Sequence, residues 1–223
     1  GNNLQATLQS FSSGQRNGGP VTLFKTKLNY PVFQVRDFYP QMPGAMRSLN
    51  LAFCATQEAI YNAKLQNGFG NLRIGICLVT TVASQLNDTD FYRQYREQSS
   101  APMESIDRYL NSNLAQALAN FLKIRAHLCT TIVNACSSGT DAIGVGLSWL
   151  RNDYCDLVIA GGADELNRVP LDGFGSLSVV SKSLCIPFDR NRSGLNLGEG
   201  AGIIILEKST TATSGLAKTF PSP

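Results

Sequence analysis

The sequence has few of the residues that metal sites, nucleic-acid surfaces and membrane spans require. It contains one histidine, His127, and its six cysteines form no CxxC or CxxH pair, so we expect no metal site. The net charge is only +3 and no run of Lys and Arg occurs, which argues against nucleic acid as a partner. Since neither a signal peptide nor a run of about 18 apolar residues occurs, we expect a cytoplasmic protein without a membrane span.

The residues that are present predict a folded core. Of the 223 residues, 43% are hydrophobic and 16% are charged, as in a typical globular protein. Four short apolar segments predict buried strands, at residues 72–79, 130–134, 156–160 and 201–206. Periodic apolar residues predict helices, at about residues 3–11, 46–66, 89–98, 104–123 and after residue 139. Strands that alternate with helices predict an α/β fold, with a parallel or mixed sheet covered on both faces.

Small and polar residues indicate where some of these elements end. We expect the Asn-Gly pair at residues 67–68 to end the second helix. The Gly-Gly pair at residues 161–162 is expected to close the third strand. Residues 209–223 are rich in Ser, Thr and Pro, so we expect a loosely ordered tail there.

The segment most informative about chemistry places Cys136 between a predicted strand and a predicted helix. Such a turn lifts the sulfur to the carboxyl edge of the sheet, where open α/β folds bind ligands. It also puts the sulfur at a helix N-terminus, where the dipole favours thiolate. From this segment alone, a nucleophile and a buried structural cysteine are about equally good interpretations. The glycines that follow lack GxGxxG spacing, so no nucleotide site is predicted.

Several motifs occur in one order along the chain, and each is weak alone. They include NACSSGTDAIG at residues 134–144, DLVIAGGAD at 156–164, PLDGFGSLS at 170–178 and PFDRNRSGLNLGEGAGIIILE at 187–207. Through this ordered set, residues 1–208 resemble the N-terminal half of a β-ketoacyl-acyl-carrier-protein synthase, a condensing enzyme of the thiolase-like superfamily. The resemblance implies a three-layer α/β fold, with a mixed sheet of the five-stranded type that lacks its first strand here.

The resemblance also implies roles for particular residues. Cys136 would take an acyl group as a thioester, with its own backbone N–H as one arm of the oxyanion hole. Phe174 would form a wall of the acyl pocket, although plain core packing is an equally good interpretation. We interpret three further motif positions as structural supports of the turn before the last strand: Asp189, Arg192 and Glu199. The implied reaction is acyl transfer followed by decarboxylative Claisen condensation with a malonyl carrier, in fatty-acid or polyketide synthesis, without a metal or organic cofactor.

Parts of the implied site are missing from this chain. The family's C-terminal half, with two catalytic histidines and a second oxyanion donor, has no counterpart here. His127 lies nine residues before Cys136, which is roughly 25–30 Å along a strand, so we expect a loop or interface residue rather than a base. We therefore expect a truncated half, or a subunit that a partner chain completes, which cannot condense alone. An isolated half would expose an apolar face and associate.

Several partners and two other functions stay open at this point. The resemblance implies an acyl carrier protein or coenzyme A thioesters as acyl donors, and a homodimer formed near residues 129–134. The chain could instead be a non-catalytic ketosynthase-like scaffold or dimerisation subunit, although a scaffold does not need the retained cysteine. A cysteine hydrolase would need a nearby base, and the single distant histidine argues against it.

Overall fold

The computed structural model describes residues 1–38, 40–41, 45–81, 89–103 and 113–208. In these ranges the helices are α1 (Leu4–Ser13), α2 (Arg47–Asn62), α3 (Thr89–Gln98), α4 (Leu114–Leu122), α5 (Ser138–Arg151) and α6 (Arg168–Ser176). The strands are β1 (Ile74–Thr80), β2 (Ala126–Val133), β3 (Leu157–Asp164) and β4 (Gly200–Glu207). None of the described helices is long and apolar enough to cross a membrane. The predicted tail at 209–223 and the predicted helical residues 104–112 lie outside the described residues.

The four strands form one mixed sheet in the order β2–β1–β3–β4. β1 is parallel to both β2 and β3, with Cys77 level with Thr130 on one side and Ala160 on the other. All seven residues of β1 are buried, because this strand lies inside the sheet and is covered on both faces. β2 and β4 lie at the two ends of this order, and both are less buried than β1. The α/β prediction and all four predicted strands are confirmed.

Helix α5 covers one face of the sheet. Its Ala142 and Leu150 belong to a buried cluster that also contains Cys77, Val158 and Ala160 of the inner strands. Helices pack on sheets in this way when a stripe of apolar residues repeats about every 3.6 positions. The helix that the apolar periodicity predicts after residue 139 is therefore confirmed.

Helix α4 lies against the opposite face of the sheet. The backbone N–H of Ala115 donates to Thr131 Oγ at 2.9 Å, and Thr131 is level with Leu78 in β1. Side chains alternate along a strand, so Leu78 points away from the face that holds Cys77. The two helices thus enclose the sheet, which gives the three layers that the resemblance implies.

Two boundaries differ from the predictions because of backbone geometry. Helix α2 ends at Asn62 rather than at residues 67–68, since Lys64 adopts φ +56° and the Leu65 N–H bonds back to the Ile60 carbonyl at 3.0 Å. Strand β3 does not close at its glycine pair but continues to Asp164. Gly161 has φ +149°, and a Cβ there would collide with the Gly202 carbonyl oxygen of β4. The glycine permits close approach of two strands instead of ending one.

An ion-pair cluster ties together the amino ends of β1 and β3. The Arg73 guanidinium donates to both carboxylate oxygens of Asp156, at 3.1 Å from Nε and 2.7 Å from Nη2, and the Arg73 backbone N–H donates at 2.7 Å. These hydrogen bonds lower the pKa of Asp156 to about 2. Arg73 also contacts Asp153, whose carboxylate lies 2.5 Å from Lys208 Nζ. We call these four residues the Arg73 cluster.

The chain divides into two compact units. The larger unit comprises residues 41–163 and 201–223, and its described part contains nearly all of the sheet with helices α2 to α5. The smaller unit comprises Gly1–Pro40 and Asp164–Gly200 and contains α1 and α6. The core of the smaller unit is formed by Val32, Leu166 and Leu171, with partly buried side chains packed around them.

Candidate functional site

Cys136 lies in the turn that joins β2 to α5. β2 ends at Val133 and α5 begins at Ser138, so only four residues make the connection. Because β2 is parallel to β1, this turn is at the carboxyl end of both strands, and the Cys136 side chain is exposed there. The predicted placement of a cysteine at a strand-to-helix turn is therefore confirmed. The alternative of a buried structural cysteine is wrong for Cys136.

The other cysteines differ from Cys136 in burial. Cys77 and Cys155 are buried, and Cys54, Cys129 and Cys185 are half-buried. Burial raises the pKa of the Cys77 thiol to about 11, and it also raises the pKa of Cys54, Cys129 and Cys155. A reagent that attacks thiolates near neutral pH should therefore reach Cys136 first. This selectivity makes its chemistry measurable in the presence of five other thiols.

A network of exposed polar side chains spans the Cys136 turn. Asn134 Nδ2 donates to Asp141 Oδ2 at 2.7 Å and to Ser137 Oγ at 3.0 Å. The Ser137 hydroxyl lies 3.4 Å from the same Asp141 oxygen. Ser137 is the N-cap residue of α5, yet it makes no side-chain capping bond. Its hydroxyl takes part in the network instead, and the sequence motif NACSSGTDAIG gave no indication of this arrangement.

Phe174 lies on helix α6 in the smaller unit. The sequence motif at 170–178 predicted no helix, but Asn167 caps one, accepting from the Val169 N–H at 2.9 Å, and Pro170 is tolerated in its first turn. The Phe174 side chain is 38% exposed, whereas Leu171 of the same helix is fully buried. On this helix, the residue that packs into the core is therefore Leu171 and not Phe174. Cys136 belongs to the larger unit and Phe174 to the smaller one.

The three motif residues interpreted as structural form hydrogen bonds that hold the loops of the smaller unit. Glu199 accepts from the backbone N–H of Val35 at 2.9 Å and of Leu166 at 3.2 Å, so it ties two distant segments together. Asp189 accepts from the Asn191 N–H at 2.7 Å, and Arg192 donates to the Asp189 carbonyl at 3.0 Å. These contacts are of the kind that the structural interpretation predicts, and the roles of the three residues stay a prediction.

The single histidine lies far from the Cys136 turn. Strand β2 begins at Ala126, four residues earlier than predicted, so His127 is its second residue. The His127 side chain is exposed. Of the two expected positions, loop or interface, the loop is therefore wrong, and the interface position stays a prediction. Nine residues at about 3.3 Å each still separate it from Cys136. Within the described ranges, no group of three His, Cys, Asp or Glu side chains could hold a metal ion.

The family model for the N-terminal domain of β-ketoacyl synthases matches residues 35–212. This match covers well over half of the chain. The chain belongs to the β-ketoacyl synthase family. The family assignment agrees with the fold, because the matched residues include all four strands of the sheet and the Cys136 turn.

Curated relatives and solved structures agree with this family. The chain is 29% identical to 3-oxoacyl-(acyl-carrier-protein) synthase 2 of Synechocystis sp., over 99% of this chain and 57% of the relative. It is 26% identical to the tetracenomycin polyketide synthase ketoacyl synthase alpha subunit of Streptomyces glaucescens, over 74% of this chain and 42% of the relative. The ishigamide ketosynthase/chain length factor structure is similar with a TM-score of 0.81 and 25% identity, over 94% of this chain and 55% of that chain. The chain thus spans about half the length of these relatives.

Proposed function

We propose that this chain provides the nucleophile of a condensing enzyme that makes 3-oxoacyl thioesters. The observation that supports this most strongly is the exposed Cys136 thiol on the turn at the carboxyl ends of β1 and β2. The Cys136 thiolate attacks the carbonyl carbon of an acyl thioester and forms a tetrahedral oxyanion, to which the Cys136 backbone N–H donates. When the intermediate collapses, the carrier thiolate leaves and takes a proton from solvent, and the acyl group stays on Cys136.

The partners follow from this chemistry. The acyl donor is an acyl carrier protein or a coenzyme A thioester, since both present a phosphopantetheine thioester. Phe174 forms a wall for the acyl chain, which its 38% exposure permits. The condensation step also needs donors and proton control that His127 is too distant to supply, so these groups come from a C-terminal half or from a partner chain.

The outer position of β2 in the described sheet supports association with a second chain. Val133 at its end is 62% exposed, and β2 is at one end of the strand order. A homodimer, or a pair with a related chain, would cover this strand. The same feature would serve a non-catalytic dimerisation subunit, which is the second candidate function, and the state of Cys136 separates the two candidates.

Intact-mass spectrometry after incubation with an acyl-coenzyme A tests the proposal. We expect one acyl adduct on the wild-type chain and none on Cys136→Ala. Cys185→Ala is the matched control, because Cys185 is also unpaired but half-buried, and this variant should keep the adduct. A folded wild-type chain that forms no adduct, or a Cys136→Ala chain that still forms one, would contradict the nucleophilic role and favour the scaffold.

A further inference from the structure

We infer that Asn134 and Asp141 are positioning residues for Cys136, through a side-chain bridge across the turn; this inference rests on the nucleophilic role proposed above. Asn134 directly follows the last residue of β2, and Asp141 lies in the first turn of α5. The 2.7 Å bond from Asn134 Nδ2 to Asp141 Oδ2 therefore joins the strand to the helix across Cys136. A hydrogen bond of this length to a carboxylate is of the strong, charge-assisted kind.

The bridge is fixed at its strand side by its own backbone. Asn134 Oδ1 accepts from the Ala135 N–H at 2.8 Å, so the amide group of Asn134 is held in one orientation with its NH2 directed at Asp141. The Ala135 carbonyl in turn accepts from the Ser138 hydroxyl at 3.0 Å. The residue before Cys136 is therefore bonded on both its N–H and its carbonyl side.

The helix side of the turn is held in the same way. Asp141 accepts from Asn134, and its backbone N–H donates to the Ser137 carbonyl at 3.1 Å. Ser137 Oγ accepts from the same Asn134 NH2 group at 3.0 Å. The residues on both sides of Cys136 thus share one network, which limits the directions that the Cys136 N–H and Cβ can take.

This restriction matters for acyl transfer more than for simple alkylation. Acyl transfer requires the Cys136 N–H to point at the developing oxyanion, and errors of about 1 Å in such geometry can cost about 100-fold in rate. Alkylation by iodoacetamide is a direct displacement and forms no oxyanion. If the bridge positions the turn, its loss should slow acyl transfer far more than alkylation. A network that only stabilises the fold would leave the ratio of the two rates unchanged.

An exchange of the two side chains gives a rescue test. Asn134→Asp alone places two carboxylates beside each other and breaks the bridge. Asp141→Asn alone removes the charge from the bridge. In the double variant Asn134→Asp with Asp141→Asn, the amide at 141 donates to the carboxylate at 134, which can still accept from the Ala135 N–H. The bridge is restored with its donor and acceptor reversed.

The experiment compares these variants and Asn134→Ala with the wild-type chain, measuring the rate of acylation of Cys136 by an acyl-coenzyme A and the pH profile of its alkylation. We expect Asn134→Ala and Asn134→Asp to lower the acylation rate at least tenfold with less than threefold change in alkylation, and the double variant to return within threefold of wild type. Asn152→Ala is the matched control, because Asn152 is an exposed asparagine at the other end of α5 that donates to Ser148. It should behave like wild type.

The possible failures are distinguishable. If the wild-type chain is acylated and Asn134→Ala is acylated equally fast, or if the double variant is no better than the single ones, the positioning role is wrong while the nucleophile stands. If the wild-type chain is alkylated at Cys136 but never acylated, the proposed function fails. The positioning role then fails together with it, because no acyl transfer remains for the bridge to position.

Discussion

At the amino ends of β1 and β3, the guanidinium of Arg73 meets the carboxylate of Asp156 in two parallel hydrogen bonds. At the carboxyl end of β2, by contrast, the Cys136 side chain is exposed and the polar side chains around it bond to one another across the turn. The contacts at the first end link residues that are 83 positions apart in sequence. The contacts at the second end link residues that are close in sequence. Long-range ion pairs at one end stabilise the sheet, and a local network at the other end leaves a thiol accessible.

The largest expected effect on the comparison between the two ends of the sheet is at Gly161, in the carboxyl half of β3. Gly161→Ala should destabilise the chain by about 3 kcal/mol or more, because its Cβ would collide with the Gly202 carbonyl and φ +149° suits only glycine. Urea unfolding followed by circular dichroism measures this. Gly144→Ala in α5 is the control, since a Cβ there meets nothing within 4 Å. It should change stability by less than about 1 kcal/mol. Equal unfolding midpoints for Gly161→Ala and wild type would contradict the close strand approach.

The second prediction concerns the Arg73 cluster. Asp156→Asn should cost about 1 kcal/mol, since an ion pair that is partly in solvent contributes less than a buried one. Cys136 should be alkylated at the wild-type rate in this variant, because the cluster lies at the opposite end of the strands. A slower alkylation rate would show that the two ends are coupled.

The same carboxylate predicts a dependence of stability on pH. The pKa of Asp156 is lowered to about 2 from an ordinary value of 3.8. A group whose folded-state pKa is depressed stabilises the fold above its ordinary pKa, and this contribution disappears as the pH falls toward 2. Between pH 5 and about pH 2, wild type should therefore lose more stability than Asp156→Asn. Parallel urea curves at the two pH values measure the difference, and equal losses would contradict the ion-pair account.

The smallest predicted effect separates Ser137 from the true capping residues. Ser137→Ala should change the free energy of unfolding by less than about 0.5 kcal/mol, because this N-cap residue makes no capping bond. Asn113 caps α4 by accepting from the Gln116 N–H at 3.0 Å, so Asn113→Ala should cost about 1 kcal/mol. Urea unfolding of both variants makes the comparison. If Ser137→Ala costs as much as Asn113→Ala, the expectation that the Ser137 hydroxyl contributes little to stability is wrong.

The two ends of the sheet also differ in how far the sequence predicts them. The strands and most helices follow from apolar periodicity, and the Cys136 turn is local, so both could be predicted. The Arg73–Asp156 pair could not, because nothing in a single sequence links residues 83 positions apart. The bridge from Asn134 to Asp141 is close in sequence, but its residues are also common in exposed turns.

Glycine and proline explain the remaining differences. The pair at 161–162 has the composition of a strand end, yet β3 passes through it because β4 lies too close for a side chain. Helix α6 contains Pro170 and two glycines, which lower the intrinsic helix propensity that a pattern search relies on. Its start is nevertheless marked by Asn167, a good N-cap residue. In both places tertiary contacts override the local preference.

The most direct test of the central claim is to map, by peptide mass spectrometry, which cysteine bears the acyl group after the wild-type chain meets an acyl thioester at pH 7. The account predicts that the group lies on the peptide containing Cys136 and on no other. Acylation of Cys185 or of a buried cysteine in place of Cys136 would contradict it, because the exposed thiol at the carboxyl end of the sheet would then not be the nucleophile.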